Sequence, residues 1–181
     1  MASVQESIDV AVPVTTAYNQ WTQFETFPQF MGGVESITQI SDTQNHWVTN
    51  IGGVKREFDA EITEQHPDER VAWKSVDGES HAGVVTFHRI DDNTTRLMVQ
   101  IDWQPGTFIE KVGAVVNADT VQVKGDLKRF KEFIEKSGGE TGAWRGNIDA
   151  PPTGVSDATP ANDTVPDAST NDPDSGGPRI I

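Results

Sequence analysis

The amino-acid sequence of 181 residues contains no cysteine, which excludes a disulfide framework and any chemistry that needs a thiolate. Basic residues are also few, because 14 Lys and Arg stand against 28 Asp and Glu and leave a net charge of −14. A field of this sign repels phosphate backbones and anionic lipid surfaces, so we predict no nucleic-acid partner. No apolar run is long enough to span a bilayer, and residues 1–6 lack the basic and apolar regions of a signal peptide. The sequence therefore predicts a soluble cytoplasmic protein without stable membrane insertion.

The motifs of several enzyme classes are missing as well. There is no Gly-x-Ser-x-Gly nucleophile elbow, no Gly-x-Gly-x-x-Gly loop and no Walker A sequence. Of the four histidines, His81 and His88 lie seven residues apart on one predicted strand and should face opposite sides of the sheet. Since no His-x-Glu or Glu-x-x-His pair accompanies them, we predict no metal site and no bound cofactor.

The apolar residues divide the chain into two parts. Beyond Asn147 the sequence consists largely of Pro, Thr, Asp, Ala, Ser and Gly, and such a segment cannot bury enough surface to offset its ordering entropy. Seven acids against two bases between residues 138 and 181 place about −5 of the charge there. We predict one folded domain over residues 1–147 and a disordered acidic tail over residues 148–181.

Within the predicted domain, the hydrophobic period changes twice. Alternation over 4–12 indicates a strand, and apolar residues at helical spacing over 14–21 and 24–31 indicate two short helices. Residues 107–136 return to a helical stripe, which Gly113 and Gly125 weaken, so a kink or a separate short helix is expected there. Between these regions, six strands joined by short turns are predicted at 34–40, 45–51, 54–63, 70–76, around 85–87 and at 97–103.

This order predicts an α+β fold in which a seven-stranded antiparallel sheet curves around one long helix. A single helix covers only part of such a sheet, so the interior should contain a cavity suited to a small hydrophobic molecule. The sequence leaves open whether each tryptophan lines this cavity or fills it. The apolar candidates for the lining are Phe27, Phe30, Met31, Trp47, Phe58, Trp73, Phe87 and Trp103.

Several polar or aromatic residues have two interpretations each. Arg56 shares strand parity with Phe58 and could hold a ligand carboxylate or carbonyl, but we favour a side chain that extends from the strand end to solvent. Tyr18 and Trp21 lie on the apolar stripe of the first helix, where packing is favoured over ligand contact. The pair 144–145 either covers the cavity mouth or anchors the tail.

Seven stretches of the sequence resemble the START/birch-allergen-like superfamily of helix-grip proteins, in particular its bacterial polyketide cyclase/dehydrase-like, coenzyme-Q-binding branch. They are Ser7-Ile8-Asp9-Val10 with Pro13, Ala17-Tyr18-Asn19-Gln20-Trp21, Phe24-Glu25-Thr26-Phe27-Pro28-Gln29-Phe30-Met31, Ala60-Glu61-Ile62-Thr63-Glu64-Gln65, Val71-Ala72-Trp73-Lys74-Ser75, Gly83-Val84-Val85-Thr86-Phe87, and Asp126-Leu127 with Phe130-Lys131-Phe133-Ile134. Residues 140–146 are also similar to a tail motif of this branch. The resemblance implies a helix-grip fold and a lipid-, polyketide- or quinone-like ligand, but it implies no reaction.

Three functions remain in competition. We favour a non-enzymatic domain that binds or carries a small hydrophobic molecule in its cavity. The first alternative is a cyclase, aromatase or dehydrase acting on a polyketide-like substrate, which two inward polar residues with shifted pKa values would support. The second is a protein-interaction module with a protein partner, which a filled interior beside an exposed apolar patch would support.

Overall fold

Seven strands and a long C-terminal helix form the framework of the fold. The computed structural model describes residues 2–51, 53–77, 81–103 and 115–150. The strands are β1 (Ala2–Val10), β2 (Val34–Gln39), β3 (Gln44–Ile51), β4 (Val54–His66), β5 (Arg70–Ser75), β6 (His81–Asp91) and β7 (Thr94–Trp103). The helices are α1 (Val14–Trp21), a 3₁₀ helix (Phe24–Gln29) and α2 (Val115–Lys136).

All strand pairs are antiparallel, and the order across the sheet is β1-β7-β6-β5-β4-β3-β2. Strands β2 to β7 therefore form a meander, because short turns can only return the chain beside the strand it has just left. Strand β1 joins the far edge against β7. This topology confirms the predicted α+β fold with a curved antiparallel sheet and a C-terminal helix.

The predicted bounds hold for most elements, with one instructive difference in β4. The strand was expected to end at residue 63 but runs to His66, because a bulge between Ile62 and Glu64 lets the pairing with β5 continue. A bulge adds one residue and reverses the alternation beyond it. As a result Gln65, which regular alternation would turn outward, is buried with 1% exposure.

Some predictions lie outside the described residues. They include the predicted helix over 107–114 with its break at Gly113, the side chain of Trp103, and the tail from residue 151 onward. The proposed boundary after residue 147 falls next to Ile148, which exchanges two backbone hydrogen bonds of 2.8 Å with Gln65.

The two faces of the sheet differ in composition. The inner face carries the apolar side chains, with residues such as Val71, Val85 and Leu97 completely buried. The outer face carries ion pairs such as that of Arg96 with Asp9, whose Nε and Oδ1 atoms lie 2.7 Å apart. Arg96 thus lies outside, on the face opposite to the buried Leu97 that follows it. This separation of apolar from charged residues places the core on one side of the sheet only.

Helix α2 runs along β1 and covers the inner face. Near its C-terminal end, Oε1 of Glu135 accepts a hydrogen bond of 2.7 Å from the backbone N–H of Ala11. Eleven residues earlier, Nζ of Lys124 lies 3.4 Å from Oε1 of Glu6. The helix begins nine residues before Lys124, about 13 Å at 1.5 Å per residue, which brings its first turn level with the start of β1.

The interior is packed most tightly at the C-terminal end of α2. There Phe130 lies against Trp21 and Phe30, with ring centroids 5.2 Å and 5.1 Å apart in edge-to-face geometry. Phe27 extends this aromatic core, 5.3 Å from Trp21. Such pairs contribute roughly 0.5–1.5 kcal/mol each beyond the area they bury. Tyr18 and Trp21 therefore serve packing, as predicted for the stripe of α1.

Residues 140–148, named here the C-terminal strap, cross α1 and reach the turn between β4 and β5. Arg145 donates to both carboxylate oxygens of Asp68 at 2.9 Å, and its guanidinium carbon lies 5.5 Å from the ring centroid of Tyr18. The backbone N–H of Trp144 donates to Oγ1 of Thr22 at 3.0 Å. Of the two interpretations of residues 144–145, these contacts support the anchor.

Candidate ligand-binding site

The aromatic candidates form two groups, which meet where Phe27 lies edge-to-face against Trp47 with ring centroids 6.0 Å apart. Phe27, Phe30 and Phe87 lie in the packed interior, with at most 5% exposure. Phe27 and Phe30 are 5.3 Å apart, and Phe87 is 5.5 Å from the ring of Tyr18. Met31 is half-buried beside this cluster. At this end, the candidates contact each other and the rings of the helices.

The second group lies on the inner face of β3, β4, β5 and β6. The rings of Trp47 and Phe58 are stacked, with 10° between their planes and 6.0 Å between centroids, and Phe58 lies 5.6 Å from the ring of His81. Trp73 lies over Gly83 on the neighbouring strand, where an added Cβ would be only 2.2 Å from Cζ2 of the indole. Glycine at residue 83 is therefore what allows Trp73 to lie flat on the sheet. Trp103 pairs with His81 through its backbone.

A line of polar side chains crosses the sheet between these rings. Asn45 pairs with Ala60, which in turn pairs with Ser75. The backbone N–H of His81 donates to Oγ of Ser75 at 3.0 Å, so the line continues onto β6. We call Asn45, Ser75 and His81 the polar row. It lies on the apolar side of the sheet, between Phe58 on one side and Trp73 on the other.

Three buried nitrogen atoms at this place have no hydrogen-bond partner in the part of the chain that the structure describes. They are Nδ2 of Asn45, Nε1 of Trp73 and Nδ1 of His81. The oxygen of the Asn45 amide is already occupied, because it accepts a hydrogen bond of 2.6 Å from Nε1 of Trp47. A buried polar group without a partner costs about 1–3 kcal/mol, so three in one place are a substantial local cost.

Two further buried nitrogens lack partners among the described residues, but they lie elsewhere. Nε1 of Trp21 is inside the packed aromatic core, and Nε of Arg70 belongs to a side chain whose Nη2 lies 3.3 Å from Oε2 of Glu64. Neither contacts the polar row, so the concentration of unpaired nitrogens is a property of the second aromatic group.

Burial and a nearby positive charge favour the neutral form of His81. Burial lowers the pKa of His81 from its ordinary value of 6.5, and the positive charge of Arg56 lowers it further. A neutral imidazole has one N–H donor and one acceptor nitrogen. Arg56 itself is exposed near the start of β4, where its backbone pairs with that of Thr49 across the hairpin. It is the cation whose charge acts on the pKa of His81.

The cover over the inner face becomes looser toward this group. On the apolar stripe of α2, Phe130 and Ile134 are buried and Leu127 is 4% exposed, whereas Val123 is half-buried. On the sheet, Trp47 and Trp73 keep 7% and 8% exposure, and Phe58 is half-buried. Among the described aromatic side chains on the inner face of the sheet, Phe58 is therefore the one that stays half-buried.

Two surface clefts flank α2 outside the inner face. One of about 390 Å³ lies between β1 and α2, where Glu6 and Lys124 form an ion pair, and another of about 490 Å³ lies beside Phe133. Neither contains any of the aromatic candidates.

Among the described residues, no group of three His, Asp or Glu side chains is arranged to hold a metal ion. No helix in the described ranges is long and apolar enough to cross a membrane.

The sequence pattern identifies the aromatic residues but none of the three members of the polar row. Asn45 is predicted only as the start of a strand, Ser75 only as part of a strand, and His81 is weighed only as a metal ligand. The signal that could have found them is strand parity, since His81 shares parity with Val85 and Phe87, and Asn45 shares it with Trp47. Arg56 was identified by the same argument.

Comparison with known proteins places this arrangement in a family. Residues 10–132 match the family described as "Polyketide cyclase / dehydrase and lipid transport". An uncharacterized 17.2 kDa protein of Streptomyces lincolnensis is 63% identical over 149 residues, which cover 82% of this chain and 99% of that protein.

Solved structures agree on the fold. A START superfamily protein from Mycobacterium smegmatis has a TM-score of 0.68 at 14% identity, over 76% of this chain and 99% of that one. The Zhui aromatase/cyclase of a Streptomyces species has a TM-score of 0.61 at 12% identity, over 76% and 98%. With its seven-stranded curved sheet, its C-terminal helix and the match over residues 10–132, the chain belongs to the START-like polyketide cyclase/dehydrase and lipid transport family.

Proposed function

We propose that this protein binds and carries a small hydrophobic molecule against the inner face of β3 to β6, below the first turns of α2. The observation that supports this most is Phe58, which stays half-buried on the inner face beside a polar row whose buried nitrogen atoms have no partner among the described residues. Aromatic surface at a concave face, combined with a few polar groups, is typical of small-molecule sites. Membership of a family that includes lipid transport is consistent with a carrier.

A cyclase is the second candidate, and one observation favours it. His81 is held neutral beside the positive charge of Arg56, so a base and a cation that could stabilise an enolate occur at the same site. However, the other inward group of the described ranges with a resolved pKa shift is Tyr18, whose pKa burial raises and whose hydroxyl accepts a hydrogen bond from Gln65 in the packed core. An acid–base pair needs two groups at the same site. We therefore place the carrier first.

The first experiment measures binding of a neutral apolar fluorophore, N-phenyl-1-naphthylamine, and its displacement by fatty acids, quinones and flavonoid-like dyes. The neutral probe avoids repulsion by the net charge of −14. We expect saturable binding that Phe58→Ala weakens about fivefold to tenfold, because a half-buried ring contacting the probe is lost. Ile90→Ala is the matched control, since Ile90 is an exposed apolar residue on β6 with 51% exposure.

The proposed function would be wrong if folded protein showed saturable binding to none of these compounds. It would also be wrong if Phe58→Ala and Ile90→Ala altered binding equally, because the bound molecule would then lie elsewhere. Turnover of a poly-ketone substrate that depends on His81 would instead establish the cyclase.

A further inference from the structure

The edge strand β1 is covered by α2 along only part of its length. It stands first in the strand order and pairs with β7 alone, in a register that runs over nine residues without a shift. In an antiparallel pair, alternate residues direct their backbone N–H and C=O groups to the partner strand, and the residues between them direct these groups to the other side. The groups on the free side of an edge strand can therefore accept a further strand.

The contacts of α2 identify the residues of β1 that face this free side. Near the end of the helix, the backbone N–H of Ala11 donates to Oε1 of Glu135 at 2.7 Å. One helical turn earlier, the carbonyl oxygen of Asp9 accepts a hydrogen bond of 2.8 Å from Nζ of Lys131. The alternation assigns the next outward groups, two residues earlier, to Ser7. These groups of Ser7 have no partner among the described residues.

A cleft of about 390 Å³ lies where these capping contacts stop. Its residues are Glu6, Ser7 and Ile8 of β1 and Lys124, Gly125, Leu127 and Lys128 of α2. Because residue 125 is glycine, the helix wall carries no side chain beside Lys124. An extended segment placed in this cleft would continue the sheet by one strand, about 4.8 Å from β1.

The opposite edge of the sheet differs from this one. In β2, a shift between Val34 and Ser36 interrupts the register with β3, and the backbone N–H of Gln39 donates to Oε1 of Glu25 at 3.1 Å. Bulges and capping side chains of this kind protect edge strands from pairing with other chains. Strand β1 has no register shift, and its capping by α2 stops before Ser7.

The cleft is positive although the whole chain is strongly acidic. Its charged side chains are one glutamate and two lysines, which leaves +1, whereas the net charge of the chain is −14. Nζ of Lys124 lies 3.4 Å from Oε1 of Glu6, but Lys128 has no ion-pair partner in the part of the chain that the structure describes. At 0.15 M salt the Debye length is about 8 Å, so the two lysines dominate the potential inside the cleft.

We propose that this cleft binds an extended acidic segment of a protein partner, which adds a strand to the free edge at Ser7 and places two carboxylates against Lys124 and Lys128. The two lysines are four residues apart on a helix, about 6 Å along its axis. Side chains on one face of a strand are two residues apart, or about 6.7 Å. The partner segment therefore carries its acidic residues in the pattern Glu-x-Glu. In strand addition the backbone contributes affinity and the side chains contribute specificity.

The test measures binding of two peptides with the same composition and different spacing. Acetyl-Thr-Thr-Glu-Thr-Glu-Thr-Thr-amide places both carboxylates on one face of a strand, and acetyl-Thr-Thr-Glu-Glu-Thr-Thr-Thr-amide places them on opposite faces. In ¹⁵N-labelled full-length protein at 0.15 M salt, the first peptide should move the backbone amide signals of Ser7 and Lys128. Its Kd should be about twofold to fivefold lower than that of the second, because one ion pair at the surface contributes a factor of this size. The amide signal of Val48 in β3 should move with neither peptide and is the internal control.

Variants separate the backbone contribution from the charge. Ser7→Pro removes the outward N–H but no hydrogen bond to β7, so it should raise the Kd of the first peptide about fivefold to tenfold. Ser7→Ala keeps the N–H and is the matched control, with a Kd within about twofold of wild type. Lys128→Ala should raise the Kd about twofold to fivefold, whereas Lys136→Ala, on the same helix but outside this cleft, should leave it unchanged. If Ser7→Pro does not fold, Lys128→Ala and Lys128→Glu test the proposal alone.

Three outcomes would overturn the proposal. Equal affinity for the two peptides, or unchanged binding in Lys128→Ala, would show that the cleft does not recognise spaced carboxylates. Failure of both peptides to move the signal of Ser7 in folded protein would show that the free edge accepts no acidic strand. A dimer in sedimentation velocity that Ser7→Pro dissociates would show that a second copy of the chain occupies the edge instead. The cleft shares no residue with the proposed ligand site, so none of these outcomes bears on the proposed function, which the fluorophore experiment tests.

Discussion

The C-terminal strap offers the prediction whose magnitude can be worked out most completely, through the single change Arg145→Ala. The guanidinium donates to both carboxylate oxygens of Asp68 and, at 2.8 Å, to Oδ1 of Asn19, while stacking over Tyr18. The hydrogen bonds to Asp68 and the charge of Asp68 raise the pKa of Arg145. Because Asn19 is only 6% exposed, water cannot fully replace the lost donor.

The expected loss follows from the three contacts. The ion pair is partly exposed, with 40% for Arg145 and 30% for Asp68, so it contributes about 0.2–1 kcal/mol after screening by solvent. The hydrogen bond to Asn19 adds about 1 kcal/mol, and the cation–π contact adds about 0.5–1 kcal/mol. Arg145→Ala should therefore lower the free energy of unfolding by about 2 kcal/mol, which corresponds to a decrease in Tm of about 4–8 °C for a domain of this size.

The assay is equilibrium unfolding in urea followed by tryptophan fluorescence. Arg145→Lys should lose about half as much stability, since lysine keeps the charge but not the planar two-pronged geometry. Arg89→Ala is the control, because its ion pair with Asp92 is exposed at a turn and should contribute less than about 0.5 kcal/mol. Equal stability of Arg145→Ala and wild type, or full rescue by lysine, would refute this account of the strap.

The same variant should leave ligand affinity unchanged, because the strap reaches the sheet at the His66 end of β4. This end is six residues, or about 20 Å, from Ala60, which lies between Asn45 and Ser75 of the polar row. A change in affinity beyond twofold would indicate that the strap covers the site after all.

Two further predictions concern the inner face. Gly83→Ala should lower stability by about 2 kcal/mol and shift the fluorescence of Trp73, because the new Cβ would overlap the indole ring. Gly125→Ala in α2 should instead raise stability by about 0.5–1 kcal/mol, since alanine favours a helix over glycine. The urea midpoints of the two variants, compared with wild type, test both expectations. Since burial and then Arg56 lower the pKa of His81 in the folded state, the unfolded chain binds its proton more readily. The contribution of His81 to stability should therefore be complete above pH 6.5 and decrease as the pH falls below that value. In His81→Phe, the urea midpoint should depend less on pH between pH 8 and pH 5.5 than in wild type. An unchanged pH dependence would contradict this account of His81.

Most of the fold could be predicted because its signals are local. The alternation from Val54 to Ile62 and the helical stripe from Val123 to Ile134 each depend on contacts repeated along one element. The bulge in β4 could not be predicted, since it depends on how the strand pairs with β5. Gln65 shows the consequence: its amide donates 3.1 Å to the hydroxyl of Tyr18 in the core, a contact that no alternation pattern indicates.

The candidate site was only partly predictable for a related reason. Strand parity identifies which aromatic side chains of the sheet face inward, but it does not indicate how completely each side chain is covered. Phe30 is packed and Phe58 is half-buried, because α2 covers the two ends of the sheet unequally. The polar row requires the registers of three strand pairs, which bring Asn45, Ser75 and His81 into line. Sequence alone contains no such register.

The unequal ends of the interior have different consequences for stability and binding. The aromatic core around Trp21 and Phe130, together with the C-terminal strap, stabilises the fold, and within the described ranges its one unpaired buried nitrogen is Nε1 of Trp21. The other end retains donors that destabilise the protein when nothing accepts from them. Apolar residues in place of Asn45 and His81 would avoid this cost, so the presence of these polar groups on an apolar face is better explained by a molecule that pairs with them than by packing.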